Sequence, residues 1–126
     1  MKRPASLAEV AKLTSDRTSF HLHVADFIDE FRRVRQSSLL AKEPRLLRDV
    51  YEGGDIADAY LAAVAVTLAR EIGETPPRWA WDEGRKLRAP WFAWPGPSLR
   101  ATLLAESPAP FRERNLFVSA NALSRA

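Results

Sequence analysis

Cysteine is absent from the 126-residue sequence, and there are only two histidines. Disulfide bonds and thiol chemistry are therefore excluded, and zinc would have to be bound by both histidines together with carboxylates. His21 and His23 lie two residues apart on a segment that is predicted to be helical. Their side chains then point about 200° away from each other and cannot share one ion. We expect neither a metal site nor a cofactor.

Glycine is also scarce, with five residues, and no glycine-rich turn presents a nucleophile. Four carboxylates lie near the tryptophan-rich part of the chain, but their spacing forms no acid and base pattern. They are Glu71, Glu74, Asp82 and Glu83. The sequence therefore predicts a protein that is not an enzyme.

Long hydrophobic runs are missing as well. The apolar stretch from Ala59 to Ala69 is far shorter than the ~20 residues of a membrane helix, and the N-terminus has no apolar run of signal-peptide length. We expect no membrane association and a cytoplasmic protein. With 46% hydrophobic and 28% charged residues, the composition fits one domain with one core, spanning residues 1–126.

The net charge of +3 comes entirely from the C-terminal half. Residues 1–60 carry ten basic and ten acidic side chains, whereas residues 61–126 carry nine and six. Eight of those nine bases are arginine, which suits bidentate contacts with carboxylate or phosphate groups. Three excess charges are too few to predict nucleic-acid binding by themselves.

The segment 55–72 predicts the central helix of an all-α fold, a small helical bundle. Between Ala59 and Ala69 only Thr67 is polar, so at about 100° per residue the helix must be covered on most of its circumference. Its tyrosine, leucine and valine side chains should be buried. Asp55 is the expected N-cap, and Gly73 with the following prolines should end the helix.

Four further helices are predicted near residues 6–13, 19–35, 45–52 and 98–106. The first begins with a capping box formed by Ser6 and Glu9. The second has an apolar stripe at intervals of three and four: Phe20, Val24, Phe27, Ile28, Phe31 and Val34. The first two helices faintly resemble a helix-turn-helix, but Ser15 stands where the turn usually has glycine, so an N-terminal packing helix is favoured over DNA binding.

Residues 76–97 contain five of the nine prolines and all four tryptophans, Trp79, Trp81, Trp91 and Trp94. Because proline prevents long helices, we expect a short helical turn near residues 79–83 and then an ordered loop that wraps the bundle. Three roles stay open: aromatic packing on the central helix, a partner-binding surface, and base stacking. The bases next to the tryptophans are Arg78, Arg85, Lys86 and Arg88. If the segment is exposed, the central helix needs another cover, such as a second copy of the chain in a homodimer.

In the C-terminal part, Leu99, Leu103 and Leu104 are expected to point inward from the 98–106 helix. Arg112 and Arg114 alternate with a glutamate, so in an extended segment both would lie on one side. That side is either a solvated surface or a pair of arginines aimed at an acidic partner.

Three landmarks in this part look familiar: PPRWA at residues 76–80, APWF at 89–92 and SLRATLLAESPAPFRERNLFVSANALSRA at 98–126. They resemble a family of small bacterial proteins that are encoded beside nucleotidyltransferase-type toxins and are their antitoxins. The likeness is strong over residues 76–126, and before them it extends only to the order and spacing of the helices. The shared landmarks are aromatic, proline and arginine residues, with no catalytic signature among them.

The resemblance implies a non-enzymatic antitoxin that binds and neutralises a cognate toxin from the same operon. The matching positions are Trp79, Pro90, Trp91, Phe92, Ser107, Pro108, Phe111, Arg112, Arg114, Asn115, Phe117 and Val118. From them we predict the partner-binding residues Trp79, Trp91, Phe92, Phe111, Arg112, Arg114 and Asn115. The alternatives are a nucleic-acid-binding regulator that uses the C-terminal arginines and tryptophans, and a structural or interaction protein of another kind.

Overall fold

The computed structural model describes residues 3–124, of which most are helical, with 56% helix and 3% strand. The all-α expectation therefore holds in its coarse form, and a two-stranded sheet departs from it. The α-helices over this range are α1 (Leu7–Leu13), α2 (Arg17–Val34), α3 (Ser38–Ala41), α4 (Gly54–Glu71), α5 (Arg100–Glu106) and α6 (Ala109–Arg112). The strands are β1 (Trp91–Phe92) and β2 (Leu116–Phe117), and 3₁₀ turns span Arg78–Trp81, Glu83–Arg85 and Pro97–Leu99.

The helix α4 is the centre of the fold, as the sequence predicts. Its leucine and valine side chains are fully buried, and Tyr60 is half-buried. The hydroxyl of Thr67 donates to the carbonyl of Ala63 at 2.8 Å, so this polar group is satisfied inside the helix. Neither α4 nor any other helix within residues 3–124 is long and apolar enough to cross a membrane.

The observed ends of α4 can be compared with the N-cap and the C-terminal glycine that the sequence predicts. Asp55 is not the N-cap: Gly53 takes that position with φ of 95°, and Asp55 lies in the first turn, where a carboxylate still complements the helix dipole. The predicted stop is confirmed, because Gly73 follows the helix with φ of 72°, in the left-handed region that favours glycine.

Side-chain caps begin both N-terminal helices. The hydroxyl of Ser6 accepts the N–H of Glu9 at 3.1 Å, while the Glu9 carboxylate accepts the N–H of Ala5 at 2.9 Å. Asp16 and Ser19 form a full capping box at the start of α2. The predicted stripe of α2 is buried at Phe20, Val24, Phe27, Ile28 and Phe31 and half-buried at Val34.

The covers of α4 come from both ends of the chain. The stripe of α2 packs on one side, and Trp79, Phe111 and Leu116 belong to the same buried cluster from the C-terminal half. The ring of Tyr60 joins the two covers, because its centroid lies 6.0 Å from that of Phe20 and 5.2 Å from that of Phe111.

The helix predicted over residues 45–52 is wrong, since residues 43–53 form an irregular loop with turns. The backbone of this loop is held by α4, where Oδ1 of Asp58 accepts the N–H of Leu47 at 2.6 Å. Leu47 is buried, but Leu46 and Val50 are exposed. A buried side-chain acceptor therefore replaces the hydrogen bond that a helix would have supplied.

Asp58 is also the centre of a buried ion network that joins α4 to the tryptophan-rich segment. Its carboxylate lies 3.3 Å from Nε of Arg48 and 3.8 Å from Nη1 of Arg85. Arg85 is fully buried, binds the carboxylate of Glu43 at 3.1 Å and stacks 4.9 Å from the ring centroid of Trp79. Burial raises the pKa of Asp58, and a backbone N–H donor and the two guanidinium groups oppose that rise.

The sheet is a parallel ladder of two short strands, in which Trp91 pairs with Leu116 and Phe92 with Phe117. It continues for one more bond, because the N–H of Ala93 donates to the carbonyl of Phe117 at 2.9 Å. The sequence did not predict this ladder, since two-residue strands are too short to show alternation.

Candidate partner-binding surface

Residues 93–106 connect β1 to α6, and we call them the arm. We call the rest of the described chain the body. Leu103 is the one buried side chain of the arm, Gly96 is half-buried, and the other residues are exposed. The arm contains α5, which has 7 residues. Isolated helices shorter than about 12 residues are marginal in water, so α5 depends on contacts outside itself.

Large apolar side chains of the arm face solvent. Trp94 is 53% exposed, and Leu99 and Leu104 are exposed to similar degrees. The expectation that these two leucines point inward with Leu103 is wrong. On a helix the three leucines spread over about 140°, and of the three only Leu103 is buried.

Both ends of the arm are fixed to β2 and its surroundings. At the start, Ala93 bonds to Phe117 as the last step of the ladder. At the end, the buried hydroxyl of Ser107 accepts the N–H of Val118 at 2.8 Å and lies 2.6 Å from the carbonyl of Leu103. The arm is therefore held at its ends and uncovered between them.

An aromatic stack with an arginine on top lies where the arm meets the ladder. The rings of Phe92 and Phe117 are stacked with centroids 5.0 Å apart and planes at 22°. The guanidinium carbon of Arg100, the first residue of α5, lies 5.2 Å from the ring centroid of Phe92. Such cation–π contacts orient a guanidinium group and keep it at the surface.

The indole of Trp94 folds back over the next turn of chain. A Cβ atom added to Gly96 would lie 3.1 Å from Nε1 of Trp94, which places the indole edge directly beside this glycine. The exposed ring therefore lies beside the Pro97–Leu99 turn.

The electrostatics of this region are one-sided. No acidic residue occurs from Gly84 to Ala105, while Lys86, Arg88 and Arg100 are exposed within the same stretch, Lys86 as the ion-pair partner of Glu83 at 4.0 Å. The first acid after it, Glu106, uses its carboxylate to accept the N–H of Ala120 at 3.3 Å. The arm and its approach therefore present positive charge next to apolar side chains.

Three of the seven predicted partner-binding residues are buried in the fold: Trp79, Phe111 and Arg114. The indole of Trp79 donates to the carbonyl of Leu40 at 3.0 Å, and the ring of Phe111 packs on Tyr60. Both side chains are used inside the body.

The guanidinium of Arg114 is a buried connector. Its Nη1 donates to the carbonyl of Pro110 and its Nη2 to that of Ala80, each at 2.8 Å, while Nε has no hydrogen-bond partner within residues 3–124. Burial lowers the pKa of Arg114, and the neighbouring Glu113 carboxylate opposes this. Arg112 and Arg114 do not share one side, as they would in an extended segment, because α6 ends at Arg112 and residues 113–115 form a turn, which leaves Arg112 exposed and Arg114 buried.

The other predicted residues lie around the ladder. Trp91, Phe92 and Asn115 are half-buried. Asn115 has φ of 63°, a left-handed conformation that asparagine tolerates, and its side-chain amide donates to the carbonyl of Leu87 at 2.6 Å. Its own carbonyl accepts the N–H of Trp91 at 2.8 Å, so Asn115 starts the ladder. Its contacts are structural.

A groove of about 810 Å³ opens beside Trp91, between the first turn of α4 and residues 83–91. Most of its charged groups are already paired: Lys86 lies 4.0 Å from Glu83, and Arg48 belongs to the network around Asp58. No group of three histidine or acidic residues that could hold a metal ion is found among residues 3–124. The groove is therefore a mixed surface with neither metal ligands nor a nucleophile and base.

Sequence reasoning placed Leu99 and Leu104 in the core, did not mention Arg100, and counted Trp94 only as one of four tryptophans. Two signals for them are nevertheless present in the sequence. The leucines of residues 98–106 are too widely spread for one narrow buried face, and residues 84–105 contain no acid.

Comparisons of the chain with protein-family models, curated proteins and solved structures found no match.

Proposed function

We propose that the protein is a non-enzymatic antitoxin that binds and neutralises a nucleotidyltransferase-type toxin made from the same operon in the cytoplasm, and that the toxin contacts the arm. The observation that carries the proposal is the exposure of Trp94, Leu99 and Leu104 on one short segment that is fixed at both ends. Exposed aromatic and aliphatic side chains that lie together mark interaction sites. The toxin as partner comes from the resemblance of residues 76–126 to the antitoxin family.

Binding through the arm would give the short exposed helix α5 a role as a contact surface. Because both ends of the arm are already ordered, the arm loses little additional conformational entropy when a partner covers it. The partner would supply the apolar cover that α5 lacks on its own. Neutralisation then follows if the covered toxin surface includes or distorts its active site.

The contact set that we propose differs from the one predicted from the sequence. Trp91, Phe92 and Arg112 stay in it, since each is at least partly accessible. Phe111 and Arg114 leave it, because their side chains are buried and already have partners in the body.

Nucleic-acid binding is less well supported by the same surfaces. Base stacking on the first tryptophan turn would need Trp79 and Arg85, and both are buried, with Arg85 bound to carboxylates. A gel shift with the promoter of the protein's own operon checks this alternative, because phosphate contacts should weaken steeply with salt.

Co-expression with the neighbouring gene product is the direct test. We expect a stable complex on co-purification, and growth of cells that the neighbouring protein alone would arrest. A neighbouring protein that is harmless and does not co-purify would contradict the proposal.

Two leucine variants locate the binding surface. Leu104 on the arm is 48% exposed and Leu22 on α2 is 49% exposed, so a glutamate costs the free protein about equally little at either site. We expect Leu104→Glu to abolish co-purification and rescue, and Leu22→Glu to leave both intact. Loss of the complex with Leu22→Glu alone would place the contact elsewhere, and light scattering of the free chain would reveal a second copy on the arm.

A further inference from the structure

We propose that Arg100 is the charged anchor of the arm and binds a carboxylate group on an acidic and partly apolar surface of the partner protein. The inference rests on the proposed role of the arm as a contact surface, and it is independent of which protein the partner is. It adds the chemistry that the partner must present.

The guanidinium of Arg100 sits on a fixed platform. Phe92 and Phe117 are opposite one another in the ladder, so backbone hydrogen bonds as well as ring stacking hold the platform in place. Arg100 itself begins α5, and the adjacent 3₁₀ turn and the buried Leu103 fix its backbone. A guanidinium that is oriented before binding loses less side-chain entropy when it forms hydrogen bonds.

The donors of this guanidinium are uncommitted. Three arginines stack on aromatic rings, and two of them, Arg85 and Arg114, also have carboxylate partners, whereas Arg100 forms no ion pair with any residue of the range 3–124. With no acid from Gly84 to Ala105, a carboxylate for it must come from outside this stretch. The planar fork of N–H donors matches a carboxylate in bidentate geometry.

The surroundings favour a protein carboxylate over a nucleic-acid phosphate. Around the α5 axis Arg100 lies between Leu103 and Leu104, and Trp94 is exposed on the same arm. A partner that covers these apolar groups removes water from the charge pair, which strengthens it. Leucine adds nothing to phosphate contacts, and the three exposed bases nearby are few for a nucleic-acid groove.

The probes for the test are two labelled amphipathic peptides that differ only in their polar positions, one with leucine and glutamate and the other with leucine and glutamine. By fluorescence anisotropy we expect the wild-type chain to bind the glutamate peptide at least about tenfold more tightly than the glutamine peptide. Arg100→Glu should abolish this preference. Arg100→Lys should keep only part of it, weakening binding about threefold, because an ammonium group lacks the planar fork.

Arg17→Glu is the matched control, since it makes the same change of net charge at an exposed position of α2 and should alter affinity less than about twofold. A direct readout accompanies it: the Nε–H resonance of Arg100 should shift when the glutamate peptide is added. Thermal unfolding followed by circular dichroism shows that each variant is folded.

Four results would contradict the proposal that Arg100 binds a carboxylate of the partner. They are equal affinity for the two peptides, equal effects of Arg100→Glu and Arg17→Glu, tighter binding of an oligothymidine than of the glutamate peptide, and no peptide binding at about 1 mM. Failure of the proposed function looks different, because there the neighbouring protein does not co-purify while the Arg100-dependent preference persists. Conversely, a toxin complex that survives Arg100→Glu but not Leu104→Glu would contradict the proposed role of Arg100 and leave the proposed function standing.

Discussion

Trp79 and Trp94 belong to one tryptophan- and proline-rich segment, yet one is 7% exposed and the other 53%. Trp79 lies in the residues that we call the 78–85 turn, which packs on α4, and Trp94 lies on the arm. The two regions have similar composition and opposite roles. Aromatic content shows that a segment is ordered, but it does not show whether the aromatic residue serves the core or the surface.

The difference has a cause in charge pairing. In the 78–85 turn, Arg85 finds Asp58 on α4 and Glu43 on the preceding loop, and its guanidinium then covers one face of Trp79. On the arm, Arg100 stacks on Phe92 and has no carboxylate partner within the described range 3–124. A buried carboxylate thus ties the 78–85 turn to α4, whereas Leu103 is the one buried side chain of the arm.

Removing the Asp58 carboxylate at the centre of the ion network should have the largest effect on the free energy of unfolding. Asp58→Ala leaves the buried charge of Arg85 short of a partner and the N–H of Leu47 without its acceptor. We expect a loss of about 3–5 kcal/mol in the free energy of unfolding, measured by urea titration. Asp55→Ala, one turn earlier and exposed, should stay within about 0.5 kcal/mol. A small effect of Asp58→Ala would mean that charge pairing does not hold the 78–85 turn.

Truncation of the two tryptophans compares the regions directly. Trp79→Ala removes a buried ring and its hydrogen bond to Leu40, and should cost about 3–5 kcal/mol. Trp94→Ala should change the free energy of unfolding by less than about 0.5 kcal/mol and instead weaken partner binding. Similar losses of stability in the two variants would contradict the division into body and arm.

Two glycines provide the next comparison. A Cβ on Gly54 would lie 1.8 Å from the backbone oxygen of Leu47, so α4 could not keep its approach to the loop. We expect Gly54→Ala to cost about 1–3 kcal/mol in thermal unfolding, because a backbone atom cannot move aside as a side chain can.

Gly96→Ala is the control on the arm. Its Cβ would lie 3.1 Å from the Trp94 indole, an exposed side chain that can yield, and the effect should stay below about 0.5 kcal/mol. A loss at Gly96 as large as that at Gly54 would show that the arm is packed as tightly as the body.

Local signals in the sequence were enough for the long helices. The stripe of α2 and the apolar circumference of α4 each determine one element by periodicity, and both predictions are confirmed. The 45–52 helix failed because its apolar spacing is also compatible with a loop whose Leu47 N–H is bonded by Asp58, a side chain of the next helix that lies outside the predicted segment.

The candidate surface could be predicted only in part. The segment 76–126 and the accessible residues Trp91, Phe92 and Arg112 were included, but Phe111 and Arg114 were included for the same reason and are buried. Whether an arginine is buried and ion-paired or exposed and unpaired depends on which carboxylate the fold places next to it. This pairing can be read only from the tertiary structure.

High pH should affect the body and not the arm, since both tyrosines lie in the body and neither lies on the arm. Burial, with the negative charge of Asp58 adding to it, raises the pKa of Tyr51 to about 12, and burial raises the pKa of Tyr60 as well. The folded state then holds these protons more tightly than the unfolded state, whose tyrosines titrate near pH 10. Stability from the neutral phenols is therefore present below about pH 10 and is lost as the pH rises from about 10 to about 12.

We expect tyrosinate absorbance to stay absent at about pH 10 and to appear together with the loss of helical circular dichroism. The variant Tyr51→Phe removes one titrating group, so it should flatten the loss of stability above about pH 10 while leaving the unfolding temperature at neutral pH almost unchanged. Half-ionisation of Tyr51 near pH 10 with the helical signal intact would contradict this expectation, because it would show that the loop carrying Tyr51 is open to water while α4 stays folded.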